Sequence, residues 1–402
     1  MNTIQENLTT PISYECDVLV AGGGFGGIAA AIAAAREGKN TILVDRGFML
    51  GGLATAGLVT IYLPICDGCG KQVSFGLAEE LLRLSVDVYL DGERGAKDWI
   101  INPDTVHNDK TPRFEVNFNP NLFAIRVEQL LNELGVKILY GTYAVGAVVD
   151  NNKITAVIAE NKSGRFAIQA CSYVDATGDC DIAQFSGTPT ERFGRGNVMA
   201  AWYYYHGKTG YGLNMLGFCE VPDELKNQRV HKAPLVERRF SGLDGEEVSE
   251  FMQISHEQTF IDVMKRREND PEYQPTTIAT IPQLRMTRRI SGEYTLSETE
   301  KHKYFEDSIG MVSDWRRRGP IYEVPFRTLY SADMKNLVCA GRCTSVTDAM
   351  WDIMRVIPCC AVTGEAAGVA AAMSDDFTTI NIKELQAHLQ ARGVKIHESD
   401  IT

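Results

Sequence analysis

Three glycines at fixed spacing, Gly22, Gly24 and Gly27, lie between the apolar run Asp17-Val18-Leu19-Val20-Ala21 and an Ala-rich stretch from Ile28 to Arg36. In that setting G-x-G-x-x-G is a phosphate-cradling device. Gly22 permits a tight turn, Gly24 lets the backbone approach a pyrophosphate, and Gly27 lets helix and strand pack closely. The helix N-terminus then offers unpaired N–H groups and a partial positive charge. A second short strand, Asn40 to Val44, ends at Asp45, at the roughly 20-residue spacing of a carboxylate that takes a ribose hydroxyl pair. The chemistry these residues imply is dinucleotide binding.

Other residues of chemical interest are less specific. Cys66 and Cys69 stand two residues apart in LPICDGCGKQ, residues 63–72. They read as a redox pair, as half of a metal site, or as a turn lining a cofactor cavity with Asp67 as a substrate contact. Asp67, Gly68 and Gly70 favour the turn, because a redox C-x-x-C is usually set at a helix N-terminus and an adjacent acid opposes thiolate formation. A zinc pair would need two further ligands, and no companion spacing is present. His206, in Trp202-Tyr203-Tyr204-Tyr205-His206, is a candidate for proton transfer, although such alternation also describes a half-buried sheet. Arg285, Arg288 and Arg289 concentrate positive charge. Arg289 is the candidate clamp for a substrate carboxylate, with a solvated or ion-paired face as the other reading. Trp351, Asp352 and Arg355 precede an apolar helix, and Arg355 is a candidate contact to cofactor or substrate.

The elements that must position these residues follow from the pattern. The 402 residues are 44% hydrophobic and 23% charged, which is globular usage. A net charge of -12 argues against a nucleic-acid partner. Ten scattered cysteines fit reduced thiols and a cytoplasmic location. Val18 to Ala35 is continuously apolar, yet no Lys or Arg precedes it and glycines interrupt it, so it reads as strand, turn and helix, with no membrane segment or signal peptide expected. Phe123 to Leu134 has helical spacing, Val136 to Tyr140 is strand-like, and Tyr143–Asp150, Ile154–Glu160 and Arg165–Ala170 read as a β-meander. Gly245 to Arg267 is a charge-rich helix.

Further stretches carry a resemblance. The run Asp45-Arg46-Gly47-Phe48-Met49-Leu50-Gly51-Gly52-Leu53-Ala54-Thr55 resembles the acid, Gly-Gly, Ser/Thr pattern of glutathione-reductase-like flavoproteins. Tyr173-Val174-Asp175-Ala176-Thr177-Gly178-Asp179 resembles their strand ending in Ala-Thr-Gly, and Asn336 to Arg342 their C-terminal flavin strand. With RRISGEYTL (288–296) and the tail NLVCAGRCTSVTDAMWDIMRVIPCCAVTGEAAG, the chain resembles the FAD-dependent oxidoreductases related to the flavin-carrying part of heterodisulfide reductase. The resemblance implies an α/β fold: a Rossmann-like FAD-binding domain with a parallel sheet and a β-meander, and an inserted α+β substrate domain. The FAD-binding domain is expected at 1–60, 120–187 and 326–402, a flavin-covering excursion at 61–119 and the substrate domain at 188–325. The implied FAD set is Gly22, Gly24, Gly27, Asp45, Gly51, Gly52, Thr55, Gly178, Asp179, Gly341 and Arg342, completed by Arg46 and Val145. Asp45 stands where Glu is more usual, a shorter reach. Larger relatives carry iron–sulfur cysteines, whereas Cys66-x-x-Cys69, Cys339-x-x-x-Cys343 and Cys359-Cys360 lack the third ligand in step that a cubane cluster uses, so no metal is expected.

The function that follows is hydride transfer between flavin N5 and a small organic molecule that bears a carboxylate if the arginine clamp holds, with His206, Arg289, Arg355 and Asp67 as candidate catalytic residues. No second G-x-G-x-x-G is present, so electrons are expected from the substrate itself or from a separate donor or acceptor. Two rivals stand beside it: a flavoprotein monooxygenase, and an FAD subunit that relays electrons within a complex and lacks a closed cavity over N5.

Overall fold

The computed structural model describes residues 3–86, 116–217 and 234–401. The first strand, Ile12–Ala21, becomes fully buried over its last four residues and runs through the glycine turn into the helix Phe25–Arg36 and the strand Thr41–Val44. The apolar run near the start is therefore strand, turn and helix. Among the described residues no single helix is long and apolar enough to cross a membrane.

The main sheet has the order Lys137–Leu139, Thr41–Val44, Ile12–Ala21, Gly164–Asp175, Lys153–Asn161, Tyr143–Asp150, with Leu337–Cys339 also pairing Gly164–Asp175. Ile12–Ala21 is parallel to both of its neighbours, and Thr41–Val44 is parallel to Lys137–Leu139. The long strand Gly164–Asp175 changes partners along its length. Its first part is antiparallel to the meander, as in Val157 opposite Ile168, and its last part is parallel to Leu337–Cys339, as in Tyr173 opposite Leu337. This is a Rossmann-like α/β sheet extended by a β-meander.

Two apolar helices cross above the first strand, Phe25–Arg36 and Ile357–Met373, and the second is buried over nearly its whole length. Their approach is set by small residues. A Cβ placed on Gly364 would fall on the carbonyl oxygen of Gly26, and one on Gly368 on that of Ala30, both well inside the 3.0 Å that real Cβ atoms keep. Gly364 and Gly368 are four residues apart and share one helix face. The spacing lets two backbones meet where side chains would hold them apart.

Helix Leu77–Ser85 lies against the same buried helix and begins at Gly76, which carries no side chain to cap it. Glu365 replaces the cap: the Leu77 N–H donates to Glu365 Oε2 at 2.7 Å, and Arg392 Nε lies 3.5 Å from Oε1. Burial is the main cause that raises the Glu365 pKa to about 7 from 4.5, opposed by the Leu77 N–H and Arg392. The folded pKa is above the unfolded one, so this contribution is fully present below about pH 4.5 and is lost as pH rises through about 7. Glu365→Gln removes the titration. Its stability relative to the parent should improve by up to about 3 kcal/mol between pH 4.5 and 7, read from urea midpoints across that range; a flat difference would refute the assignment.

Away from the main sheet, Tyr203–Gly207 pairs with Gly210–Asn214 and Gln274–Ile278 in a three-stranded sheet, and helix Gly245–Arg267 is capped by Asp244, whose side chain accepts from Glu247 N–H. The hairpin Ser308–Ser313 and Ile321–Pro325 packs on the buried helix instead, with Ser308 donating to the Ile396 carbonyl. In the 61–119 stretch, Ile61–Tyr62 pairs with Val116–Asn117; residues 87–115 lie outside the described residues.

Candidate functional site

A cavity of about 570 Å³ lies where the sheet's strands end. One wall is the glycine turn, with Gly22, Gly24, Phe25 and Gly26. Asp45–Met49 and Gly51–Ala54 follow, then Ala176–Asp179 and Ala340–Arg342. Tyr143 lies on the lining, as do Thr280–Pro282, Leu284, Arg355, Ile357 and Cys360. Seven sequence segments from both ends and the middle of the chain thus converge, which is the crevice that open α/β sheets offer to nucleotides.

The glycines divide by task. Gly22 has φ +103°, and a Cβ there would strike the Ala176 carbonyl; a Cβ on Gly27 would strike the carbonyl of Gly22. Gly27 is not on the cavity lining and serves packing. Gly24 is the opposite case: its backbone is extended and a Cβ would meet no protein atom within 4 Å, because it would stand in the cavity. Thr55 is off the lining too, donating to the Leu50 carbonyl at 2.6 Å and so holding the Gly51–Gly52 turn. Val145 falls at a register irregularity in Tyr143–Asp150, and Tyr143 reaches the cavity in its place.

Asp45 does more locally than the sequence suggested. Its two oxygens accept from Gly23 N–H at 2.6 Å and Gly47 N–H at 2.7 Å, tying the two loops together, and each oxygen retains acceptor capacity. Asp179 is a second junction. It accepts from Thr287 Oγ1 at 2.8 Å, lies 3.5 Å from Arg342 Nη2 and 3.9 Å from Arg46 Nη2. Arg342 also donates to the carbonyls of Leu284 and Arg285.

The catalytic candidates separate. Arg355 lies on the lining, and its guanidinium is bound by Asp352, through Nε at 3.1 Å and through Nη2. Asp352 also accepts from Arg316 at 3.1 Å, which pairs with Asp314 at 2.9 Å. Two carboxylates and two guanidiniums, all buried, so fix Arg355 against the hairpin and the Asp348–Met354 helix. Arg289 is not on the lining: it pairs with Glu191 at 2.6 Å and stacks over Trp351 at 5.6 Å. Arg288, one residue earlier on the same strand, takes the opposite side and pairs with Asp181. His206 is solvent-exposed on Tyr203–Gly207, so the structure does not bring it to the cavity. The tyrosines of that strand make a half-buried sheet, with Tyr205 stacked on Tyr273 at 4.7 Å and Tyr204 hydrogen-bonded to Thr60. Asp67 lies off the lining. Its carboxylate organises a turn by accepting from Cys69 and Lys71 N–H groups, which leaves Cys66 buried and Cys69 exposed.

The lining residues Thr280, Ile281, Pro282 and Leu284 carried no motif; they belong to an irregular connection between Gln274–Ile278 and Arg288–Ile290. Cys360 lies in the first turn of the buried helix, its thiol donating to the Arg355 carbonyl at 3.3 Å, and burial pushes its pKa to about 12.

A flavin dinucleotide fits this lining: the open space at Gly24 admits a pyrophosphate, Asp45 sits where a ribose is met, and the positive end of Ile357–Met373 closes the far end. The chain is similar to several known proteins. A thioredoxin reductase from Ureaplasma parvum serovar 3 is 35% identical over 72 residues, 18% of this chain, so that the chain spans only 23% of that relative's length. The solved structure of a geranylgeranyl bacteriochlorophyll reductase-like protein from Thermoplasma acidophilum is 14% identical with a TM-score of 0.46, covering 94% of this chain and 82% of that one. For p-nitrophenol 4-monooxygenase from Pseudomonas putida DLL-E4 the values are 12%, 0.47, 94% and 84%. The FAD dependent oxidoreductase family itself matches residues 17–200 and 223–389, nearly the whole chain, and this protein therefore belongs to that family, an oxidoreductase with FAD as its cofactor.

Proposed function

We propose that the protein catalyses hydride transfer between a carbon of a small, anionic organic substrate and flavin N5, with electrons entering or leaving through the substrate or a separate partner. The observation that carries this reading is the placement of Arg355: a guanidinium locked by Asp352, which Arg316 holds in turn, on the same cavity lining as the glycine turns. FAD, when bound, supplies a two-electron hydride acceptor or donor. Gly24 and the first turn of Phe25–Arg36 hold its pyrophosphate, and Asp45 its ribose. Ile357 and Cys360 present the positive end of a buried helix, which favours negative charge in the cavity. Arg355 orients an anionic substrate group, and its ion-pair network keeps it from following the substrate into solvent.

The test is anaerobic bleaching of the flavin by a panel of hydroxy, amino and unsaturated acids, beside their uncharged analogues. Acids should bleach and the analogues should not. Arg355→Ala should lower kcat/KM for the best acid by about 100-fold with FAD still bound. Rapid NAD(P)H oxidation in air without a separate reductase would instead support a monooxygenase, and bleaching by no small molecule would support a relay subunit.

A further inference from the structure

Two of the cavity-lining loops, 176–179 and 340–342, are flanked by cysteines that meet in the interior. Cys180, Cys339 and Cys343 are all fully buried. The Sγ atoms of Cys180 and Cys339 are 3.9 Å apart although 159 residues separate them, and Cys343 Sγ lies 3.8 Å from Asp175 Oδ1. The ligand atoms of Asp175, Cys180 and Cys339 all fall within 4.8 Å of one another. We propose that Cys180, Cys339 and Cys343, with Asp175, form a closed structural site for a thiophilic divalent cation, zinc foremost.

Three observations carry the proposal. Tetrahedral zinc with Zn–S near 2.3 Å sets neighbouring sulfurs about 3.8 Å apart, and the Cys180–Cys339 separation of 3.9 Å matches that edge. Cys180 is held at φ 58°, a left-handed conformation that L side chains rarely adopt. Packing alone would be served at lower strain by glycine, so the thiol is what the strained position retains. Asp175 is oriented by the Thr177 N–H and hydroxyl on one oxygen and the Ala183 N–H on the other, the outer support that metal-ligating carboxylates have. Asp175, Cys180 and Cys339 are the mutually close triad; Cys343, 3.8 Å from Asp175 Oδ1, moves in as the fourth ligand, which leaves no open coordination position and makes the role structural. Binding releases the thiol protons to solvent, and affinity therefore rises with pH. Three thiolates, a carboxylate and a dication sum to the same charge as a four-cysteine zinc site, with Arg342 acting on Cys343 from the cavity side.

The experiment is elemental analysis of FAD-loaded protein made in zinc-supplemented medium and gel-filtered with its thiols reduced, followed by cobalt(II) titration of metal-free protein. One zinc per chain is expected, and cobalt should give visible bands of tetrahedral thiolate coordination at longer wavelengths than the flavin. Cys180→Gly removes the central thiol with a residue at ease at that φ, and should abolish both signals while FAD content and a cooperative thermal transition report an intact fold. Protein without zinc or cobalt bands would overturn the site, as would zinc retained in the variant. A Cys180–Cys339 disulfide, found by peptide mapping of protein purified without reductant, would assign the cluster to redox chemistry instead. Should the variant not fold, the parent's cobalt spectrum decides.

Discussion

Gly24→Val should give a folded, colourless protein. A Cβ at Gly24 meets no protein atom within 4 Å, and the backbone there is extended at φ −71° and ψ 177°, a conformation open to any residue. The branched side chain therefore occupies the space that backbone approach to a pyrophosphate requires. FAD affinity should fall by at least about a hundredfold, which corresponds to about 2.7 kcal/mol, while the thermal transition of the FAD-free protein stays where it is in the parent. Gly27→Val is the control, because its side chain would strike the Gly22 carbonyl and disrupt the fold together with the flavin. Absorbance of the purified variants, with FAD titration followed by flavin fluorescence, separates the two. A Gly24 variant with normal FAD content would remove the pyrophosphate from this turn.

Gly364→Leu should abolish soluble expression. Its Cβ would fall on the Gly26 carbonyl, backbone that cannot rotate away, and the helices can yield only by separating. Overpacking a core costs typically 1–3 kcal/mol and occasionally more; here separation also strips contacts along two buried helices, so about 5 kcal/mol is expected, comparable with the net stability of a typical domain. Gly368→Ala, against the Ala30 carbonyl, is the milder test and should lower the urea midpoint. An unchanged midpoint would show that the helices do not meet here.

What the sequence made legible was the side of the site built from contiguous motifs. The turn Gly22–Gly27, Gly178–Asp179 and Gly341–Arg342 each place a glycine just past a strand end, Asp45 follows the end of Thr41–Val44, and Gly51–Gly52 stand at a fixed spacing beyond it. The opposite wall, Thr280–Leu284, is irregular backbone without period or cap, so nothing in its composition marks it. Period-two alternation identified the Tyr203–Gly207 strand but not its distance from the cavity: none of its residues is on the lining, and His206 is exposed. Arg288 and Arg289 show the same ambiguity resolved in opposite directions, one toward Asp181 and the other toward Glu191 and Trp351. Asp67 looked like a cavity acid because it follows the flavin loop closely, yet it is off the lining and its Oδ1 accepts from the Cys69 and Lys71 N–H groups, and a turn-forming Asx side chain is indistinguishable in sequence from a ligand-facing one.

The change of partner along Gly164–Asp175 has a consequence for biosynthesis. That strand is flanked by the first strand of the chain on one side and by Leu337–Cys339 on the other, and the helix that completes the cavity ends at Met373. Until residues 337–373 have left the ribosome, the meander and the first strands can pair, but Asp175 lacks its Leu337–Cys339 neighbour and Phe25–Arg36 lacks the cover of Ile357–Met373. Capture of the vitamin-derived cofactor therefore waits until the segment through Met373 has left the ribosome.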